Sequence, residues 1–120
     1  MRARLAAVAA TAILWSALAA HAADKLTSAQ IQAAFFNGQP FTASTPSGVK
    51  FKMVFTPDGK VSRSPVAKTG AKGEGTWKVD KDGFCTTWKG QQPNCYQVMA
   101  NGQNKWSIMK KSTLVAVWSK

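Results

Sequence analysis

Residues 83–98 read GFCTTWKGQQPNCYQV and contain both cysteines of the chain, Cys85 and Cys95. Glycine and proline in the intervening residues 90–94 favour a turn between two strands. If the chain is exported, two cysteines in a domain of this size indicate a disulfide, and only one pairing exists. That bond would set the cysteines opposite each other on adjacent antiparallel strands. The alternation of side chains along a strand then gives the other face Phe84, Thr86, Trp88, Tyr96 and Val98, and we expect this aromatic face to be the interior.

The same period of two continues through most of the chain after residue 41. Apolar side chains at positions 49, 51, 53 and 55 alternate with lysines, which predicts a strand with one buried face. Turn signals such as Asn101-Gly102 separate the candidate strands. These strands cover residues 41–44, 49–55, 60–64, 76–79, 84–89, 95–100, 105–110 and 113–119. We therefore predict an all-β domain over residues 40–120, either a small up-and-down antiparallel barrel or a half-barrel.

One helical segment precedes the strands, within residues 23–39 and most clearly over 24–37. Thr27 is a suitable N-cap, and Gln30 three residues later completes a capping box. Apolar residues at positions 31, 34 and 35 form one helical face, which we expect to cover one end or one open face of the barrel. The basic segment 65–75, which holds Lys68 and Lys72, is predicted to be a loop and the most mobile part of the domain.

Residues 1–22 have the composition of a secretory signal peptide. Arg2 and Arg4 precede an apolar run over residues 5–20, and small residues at Ala20 and Ala22 suit cleavage after residue 22. The alternative is a membrane anchor, but the run is shorter than the roughly 20 residues that span a bilayer. We therefore expect a periplasmic or secreted domain with no membrane span after cleavage.

Three spaced groups of residues resemble a known pattern. Gly75-x-Trp77 is followed by Cys85-x-x-Trp88, then by Cys95-Tyr96 and Trp106. This order is similar to that of small exported alphaproteobacterial proteins that form an uncharacterised family, a domain of unknown function. The resemblance covers residues 73–118 and implies a β-barrel in the periplasm. It implies no catalytic residues.

A second resemblance concerns residues 47–51, Ser-Gly-Val-Lys-Phe. They look like the Ser-Gly-x-x-Tyr motif of periplasmic lysozyme inhibitors, which are also small disulfide-bearing barrels. Phe51 stands in place of the tyrosine, and the motif falls in an early strand rather than a late one. A basic domain would also be repelled by lysozymes, which are usually basic. This resemblance implies the alternative function, a module directed at a periplasmic protein, either as a hydrolase inhibitor or as part of an envelope assembly.

The predicted mature domain has few groups that could perform catalysis. The only histidine of the chain, His21, leaves with the signal peptide. Cleavage also removes two of the 16 basic residues, which leaves 14 basic and 5 acidic residues and a net charge of +9. Acid–base catalysis needs a group that titrates near neutral pH. Two thiols without histidine cannot complete a zinc site, and residues 80–83 suit a hairpin turn better than a calcium loop. We therefore expect no enzymatic activity, no metal and no cofactor.

Four tryptophans in so small a domain have two interpretations. One is that all four pack in the hydrophobic core, since each buries a large area, and the other is that some of the rings line a ligand pocket. The candidate ligand-binding residues are Trp88, Trp106, Tyr96, Trp77 and Trp118.

The basic residues likewise allow two interpretations, a solvated outer face or a surface that attracts anions. The candidate anion-binding residues are Lys50, Lys52, Lys60, Arg63, Lys68 and Lys72. A single arginine in the mature domain argues against nucleic acid, which is usually bound through guanidinium–phosphate pairs. The sequence thus predicts a non-enzymatic binding protein for an anionic or apolar envelope ligand, such as an anionic polymer or lipid.

Overall fold

The computed structural model describes residues 24–67 and 70–120. The predicted signal peptide (residues 1–22) lies outside the described residues, and so does Lys68 of the predicted anion-binding set. Within the described ranges, no helix is both long enough and apolar enough to cross a membrane.

Eight antiparallel strands form one closed barrel in which each strand pairs with its neighbours in the chain. The strands are β1 Phe41–Ser44, β2 Lys50–Phe55, β3 Lys60–Pro65, β4 Gly73–Asp80, β5 Gly83–Trp88, β6 Asn94–Ala100, β7 Lys105–Lys110 and β8 Thr113–Ser119. In the part of the chain that the structure describes, one helix, α1 (Ser28–Phe35), precedes them. The predicted all-β class and up-and-down order are confirmed. Of the two predicted forms the barrel is the closed one, because Ala43 of β1 pairs with Trp118 of β8.

The disulfide sets the register of β5 against β6 as the sequence predicts. Cys85 and Cys95 are bonded and directly opposite each other, with their Cα atoms 3.9 Å apart. The aromatic face is the interior one, since Phe84 and Val98 are buried. A cross-link closing so short a loop stabilises the fold by roughly 3 kcal/mol through the entropy of the unfolded chain.

The loop predicted over residues 65–75 is wrong at both ends. Pro65 belongs to β3, and β4 already begins at Gly73. Gly73 and Gly75 pair with Arg63 and Val61 in the barrel wall. A Cβ at Gly73 would lie 2.9 Å from Nε of Arg63, and one at Gly75 would collide with the Thr87 carbonyl oxygen. These glycines are therefore strand residues whose missing side chains make room for their neighbours, although in the sequence they look like loop residues.

The helix is shorter than predicted because the residues before its cap are extended. Thr27 and Gln30 form the expected capping box. Before the cap, the Leu26 N–H donates to the Val98 carbonyl oxygen at 2.8 Å, and the Ala100 N–H donates to the Asp24 carbonyl oxygen at 2.9 Å. These bonds occupy the edge of β6 that β5 leaves unpaired. They also hold the helix over one end of the barrel.

Two adjacent phenylalanines at the end of α1 fill that end of the barrel. Phe35 packs edge-on against Trp106 and Trp118, with ring centroids 4.9 and 4.8 Å away. Phe36 stacks on Phe55 at 4.4 Å and contacts Trp77 at the same distance. The predicted cover of one barrel end is thus an aromatic plug inserted between the strand ends.

Replacing Phe35 with alanine should lower the free energy of unfolding by about 3–5 kcal/mol, the usual range for truncating a buried aromatic ring. Phe35 has no exposed surface, whereas Gln32 on the same helix is exposed. Urea unfolding followed by tryptophan fluorescence measures the change, with Gln32→Ala as the matched control. Equal small losses in the two variants would contradict the plug.

Candidate functional site

A cavity of about 170 Å³ lies inside the barrel, toward the end that the helix leaves open. Its floor is formed by Phe55, Phe84 and Trp118, the rings that contact the aromatic plug. Toward the mouth it is lined by Phe51 near the start of β2 and Val115 near the start of β8. The helix fills only one end of the barrel, so the interior stays hollow at the other.

Arg63 is a charged residue on the inner face of this wall. It follows Val61 at the strand period of two, so both side chains point into the barrel. The guanidinium carbon lies 4.5 Å from the ring centroid of Trp88 and 5.4 Å from that of Phe51. Such cation–π contacts hold the charge in place between two rings. Its Nε is buried and has no hydrogen-bond partner among the described residues.

Three further side chains with hydroxyl groups line the cavity with Arg63, namely Thr45 near the mouth, Thr86 and Tyr96. The Thr86 hydroxyl is buried and has no partner in hydrogen-bonding geometry within the described ranges. Tyr96 is half-buried, and this burial raises the pKa of its phenol, while the nearby Thr86 hydroxyl and the Arg63 charge act in the opposite direction. We call Arg63, Thr86 and Tyr96 the polar cluster. It offers hydrogen-bond donors to whatever enters the cavity.

The two ends of the barrel differ in charge. We define the open rim as residues 45–50, 65–67, 70–74, 88–94 and 110–114, and the helix end as residues 24–27, 56–60, 79–83, 100–105 and 118–120. Among the described residues, the open rim carries five lysines and one acid, Glu74, whereas the helix end carries five lysines and four aspartates. The mouth of the cavity therefore lies in the more positive half of the molecule.

The predicted ligand-binding aromatics divide into two groups. Trp88, Tyr96 and Trp118 line the cavity. Trp77 and Trp106 lie at the helix end instead, against Phe36 and Phe35. The indole N–H of Trp77 donates to the Thr56 carbonyl oxygen at 2.8 Å. These two rings therefore pack as core, and the other three are available to a ligand.

The predicted anion-binding residues do not form one cluster. Lys50, Lys52, Lys60 and Lys72 are exposed on the outside of the barrel, and Lys60 lies at the helix end. Of the members of this set that the structure describes, Arg63 alone lines the cavity. The inward direction of the Arg63 side chain can be predicted from the sequence, because Arg63 follows the apolar Val61 at the strand period of two. The space that Gly73 leaves for it on the neighbouring strand cannot be predicted in this way. Thr86 was expected on the inner face but was not recognised as a possible ligand contact.

The motif resembling lysozyme inhibitors lies on the open rim. Ser47, Gly48 and Val49 form the exposed connection between β1 and β2, and Phe51 turns inward to Arg63.

One group of possible metal ligands occurs among the described residues, namely Asp80, Cys85 and Cys95. Both of its sulfurs are joined in the disulfide, so neither is a thiolate that could bind an ion. The carboxylate of Asp80 remains, and a lone carboxylate is not a metal centre.

The chain was compared with protein families, curated proteins and solved structures. No family model matches the chain, and no curated protein and no solved structure matches it. The resemblance to the exported family of unknown function remains a prediction.

Tyr96 is the only tyrosine of the chain, so its ionisation can be followed by the absorbance of tyrosinate. In the folded protein we expect a midpoint above the ordinary value of 10.0, because burial disfavours the charged phenolate. Arg63→Met should raise it further, since a neighbouring positive charge is lost. Because the pKa of Tyr96 is higher in the folded than in the unfolded state, its titration contributes stability that is fully present below about pH 10. This contribution is lost as the pH rises through the folded pKa.

The unfolding free energy of the native protein relative to Tyr96→Phe should accordingly decline above that pH. Comparing these two proteins cancels the titration of the lysines. A folded-state midpoint equal to that measured in concentrated urea would show that Tyr96 is not buried in the cavity.

Proposed function

We propose that this protein is a non-enzymatic periplasmic or secreted binding protein, and that its ligand is a small anion with an apolar body held in the barrel mouth. The observation that carries the proposal is the guanidinium of Arg63 on the wall of an apolar cavity, with a buried Nε that has no hydrogen-bond partner among the described residues. An unpaired buried donor costs about 1–3 kcal/mol, and an acceptor on a ligand would remove that cost.

The size and lining of the cavity support a small apolar body. Phe51, Phe55, Phe84 and Trp118 are among the rings around it, and its volume is about 170 Å³. An engineered apolar cavity of about 150 Å³ in another protein accommodates benzene. A single ring or a chain of about six carbons is therefore the largest group that fits without rearrangement.

The polar cluster supports an anionic group on that body. A guanidinium presents donors in a planar fork that matches a carboxylate or phosphate, and the Phe51 and Trp88 rings orient it. The Thr86 and Tyr96 hydroxyls can donate to the same anion. Because the open rim is positive, an anion would also be attracted toward the mouth before contact.

The same cluster supports binding rather than catalysis. Arginine stays protonated in proteins, and the raised pKa of Tyr96 keeps its phenol neutral at physiological pH. A threonine hydroxyl becomes a nucleophile only beside a base, and none of the cavity residues is one. The disulfide further supports an oxidising compartment, as expected for an exported protein.

The test compares acids with alcohols of the same size. Hexanoate and benzoate should bind about ten- to a hundredfold more tightly than hexanol and benzyl alcohol, the range for hydrogen bonds to a charged partner. Titration calorimetry measures the affinities, and quenching of tryptophan fluorescence reports entry beside Trp88.

Arg63→Met retains an unbranched apolar side chain and should remove the preference for acids while leaving alcohol binding nearly unchanged. Lys52→Met is the matched control, because it removes the same charge from the exposed face of β2. If Arg63→Met and Lys52→Met weaken acid binding equally, only the overall charge matters and the proposed site is wrong. Absence of binding by all four probes would contradict the cavity as a site for such ligands.

A further inference from the structure

The open rim combines its lysines with exposed aliphatic side chains. Val66 is 63% exposed, Leu114 41% and Val49 36%. Val66 and Val49 lie on the connections between β3 and β4 and between β1 and β2, and Leu114 is the second residue of β8, which begins at the same end of the barrel. The rim is therefore a ring around the cavity mouth in which apolar and positive side chains are interspersed.

From this arrangement we infer that the open rim docks on the surface of an anionic phospholipid bilayer. The charge asymmetry is the first reason. The rim has four more lysines than acids among the described residues, and the helix end has one more. An anionic leaflet attracts basic residues only within about a Debye length of roughly 8 Å, so the end that carries the excess is the end that would face it.

The aliphatic residues favour a bilayer over a soluble polyanion. Exposed Val66 and Leu114 gain nothing from a polysaccharide or nucleic acid chain, whereas the boundary between headgroups and acyl chains can bury them. Lysine also suits this role, because it keeps its ammonium in water while its stem lies along apolar surface. The described positive charges of the rim are all lysines, Lys50, Lys72, Lys89, Lys110 and Lys111.

Docking in this orientation would place the cavity mouth against the bilayer. A small amphiphilic anion could then pass between the lipid surface and Arg63 without crossing open solvent. This consequence rests on the proposed function, whereas the docking itself rests on the rim alone. The two can therefore fail separately.

The test uses protein purified from the exported fraction of a bacterial host. The N-terminus of every variant is verified by mass spectrometry of the intact protein. Sedimentation with vesicles of phosphatidylcholine alone is compared with vesicles of three parts phosphatidylcholine to one part phosphatidylglycerol. We expect binding to the anionic vesicles only, weakening as salt is added.

Two double variants separate the rim from the overall charge. Lys72→Gln with Lys89→Gln removes two rim lysines and should lower partitioning about thirtyfold, at about fivefold for each lysine near the surface. Lys60→Gln with Lys105→Gln removes the same charge from the helix end, on the order of 15 Å away along the strands, and should change it less than about threefold. Equal losses would overturn the inference in favour of nonspecific charge attraction.

A second pair tests the aliphatic residues. Val66→Ser with Leu114→Ser should weaken vesicle binding several-fold, while Val79→Ser, which alters a 39% exposed valine at the helix end, should leave it unchanged. If the rim serine variants bind anionic vesicles as well as the native protein, and heparin binding depends equally on Lys72 and Lys89, the surface is a polyanion site and the lipid inference fails.

Arg63→Met distinguishes this inference from the proposed function. We expect it to lose its preference for hexanoate and to retain vesicle binding, because Arg63 lies inside the barrel. Loss of vesicle binding in Arg63→Met would mean that the cavity rather than the rim contacts the lipid, and would contradict the docking surface as defined.

Discussion

The packing of Phe35 and Phe36 into one end of the barrel is the constraint on which the rest of the structure depends. Eight strands enclose a space that side chains from the wall can just fill. Here the helix contributes two more rings at one end, each in contact with several rings of the wall. The barrel is consequently asymmetric along its axis, with a dense aromatic core at the helix end and a hollow at the open rim.

Arg63 lies in that hollow, where an apolar residue would stabilise the fold more. Its Nε is buried without a described partner, which costs about 1–3 kcal/mol, and the two cation–π contacts offset part of this cost by about 0.5–1 kcal/mol each. The wall is shaped around this side chain, since Gly73 leaves the space that a Cβ would take. An arginine held between two rings, with a buried donor that has no partner among the described residues, is the feature on which the proposed ligand binding rests.

Much of the fold could be predicted from local signals in the sequence. The capping box at Thr27, the strand period and the disulfide register are properties of neighbouring residues, and each was confirmed. Closure of the barrel could not be predicted, because the pairing of Ala43 with Trp118 joins the first and last strands. The start of β4 was missed for a related reason. Gly73 and Gly75 resemble loop residues until the side chains opposite them are known, and those are set by tertiary packing.

The candidate site could be predicted only in part from the sequence, because it too depends on tertiary packing. Residue type alone predicts the ligand-binding aromatic residues, and it cannot distinguish Trp88 at the cavity mouth from Trp106 beside the plug. The distinction depends on which end of the barrel the helix covers. The charges show the reverse case. The outward direction of the lysines follows from alternation, but the excess of positive charge at one end appears only when alternate turns are assigned to opposite ends, because four aspartates balance the lysines at the helix end. In an up-and-down barrel every second connection lies at the same end, so residues far apart in the chain, such as Val49, Val66 and Leu114, become neighbours around one mouth. The cavity and its arginine lie toward the end that the helix leaves open, and the basic apolar ring surrounds that same end.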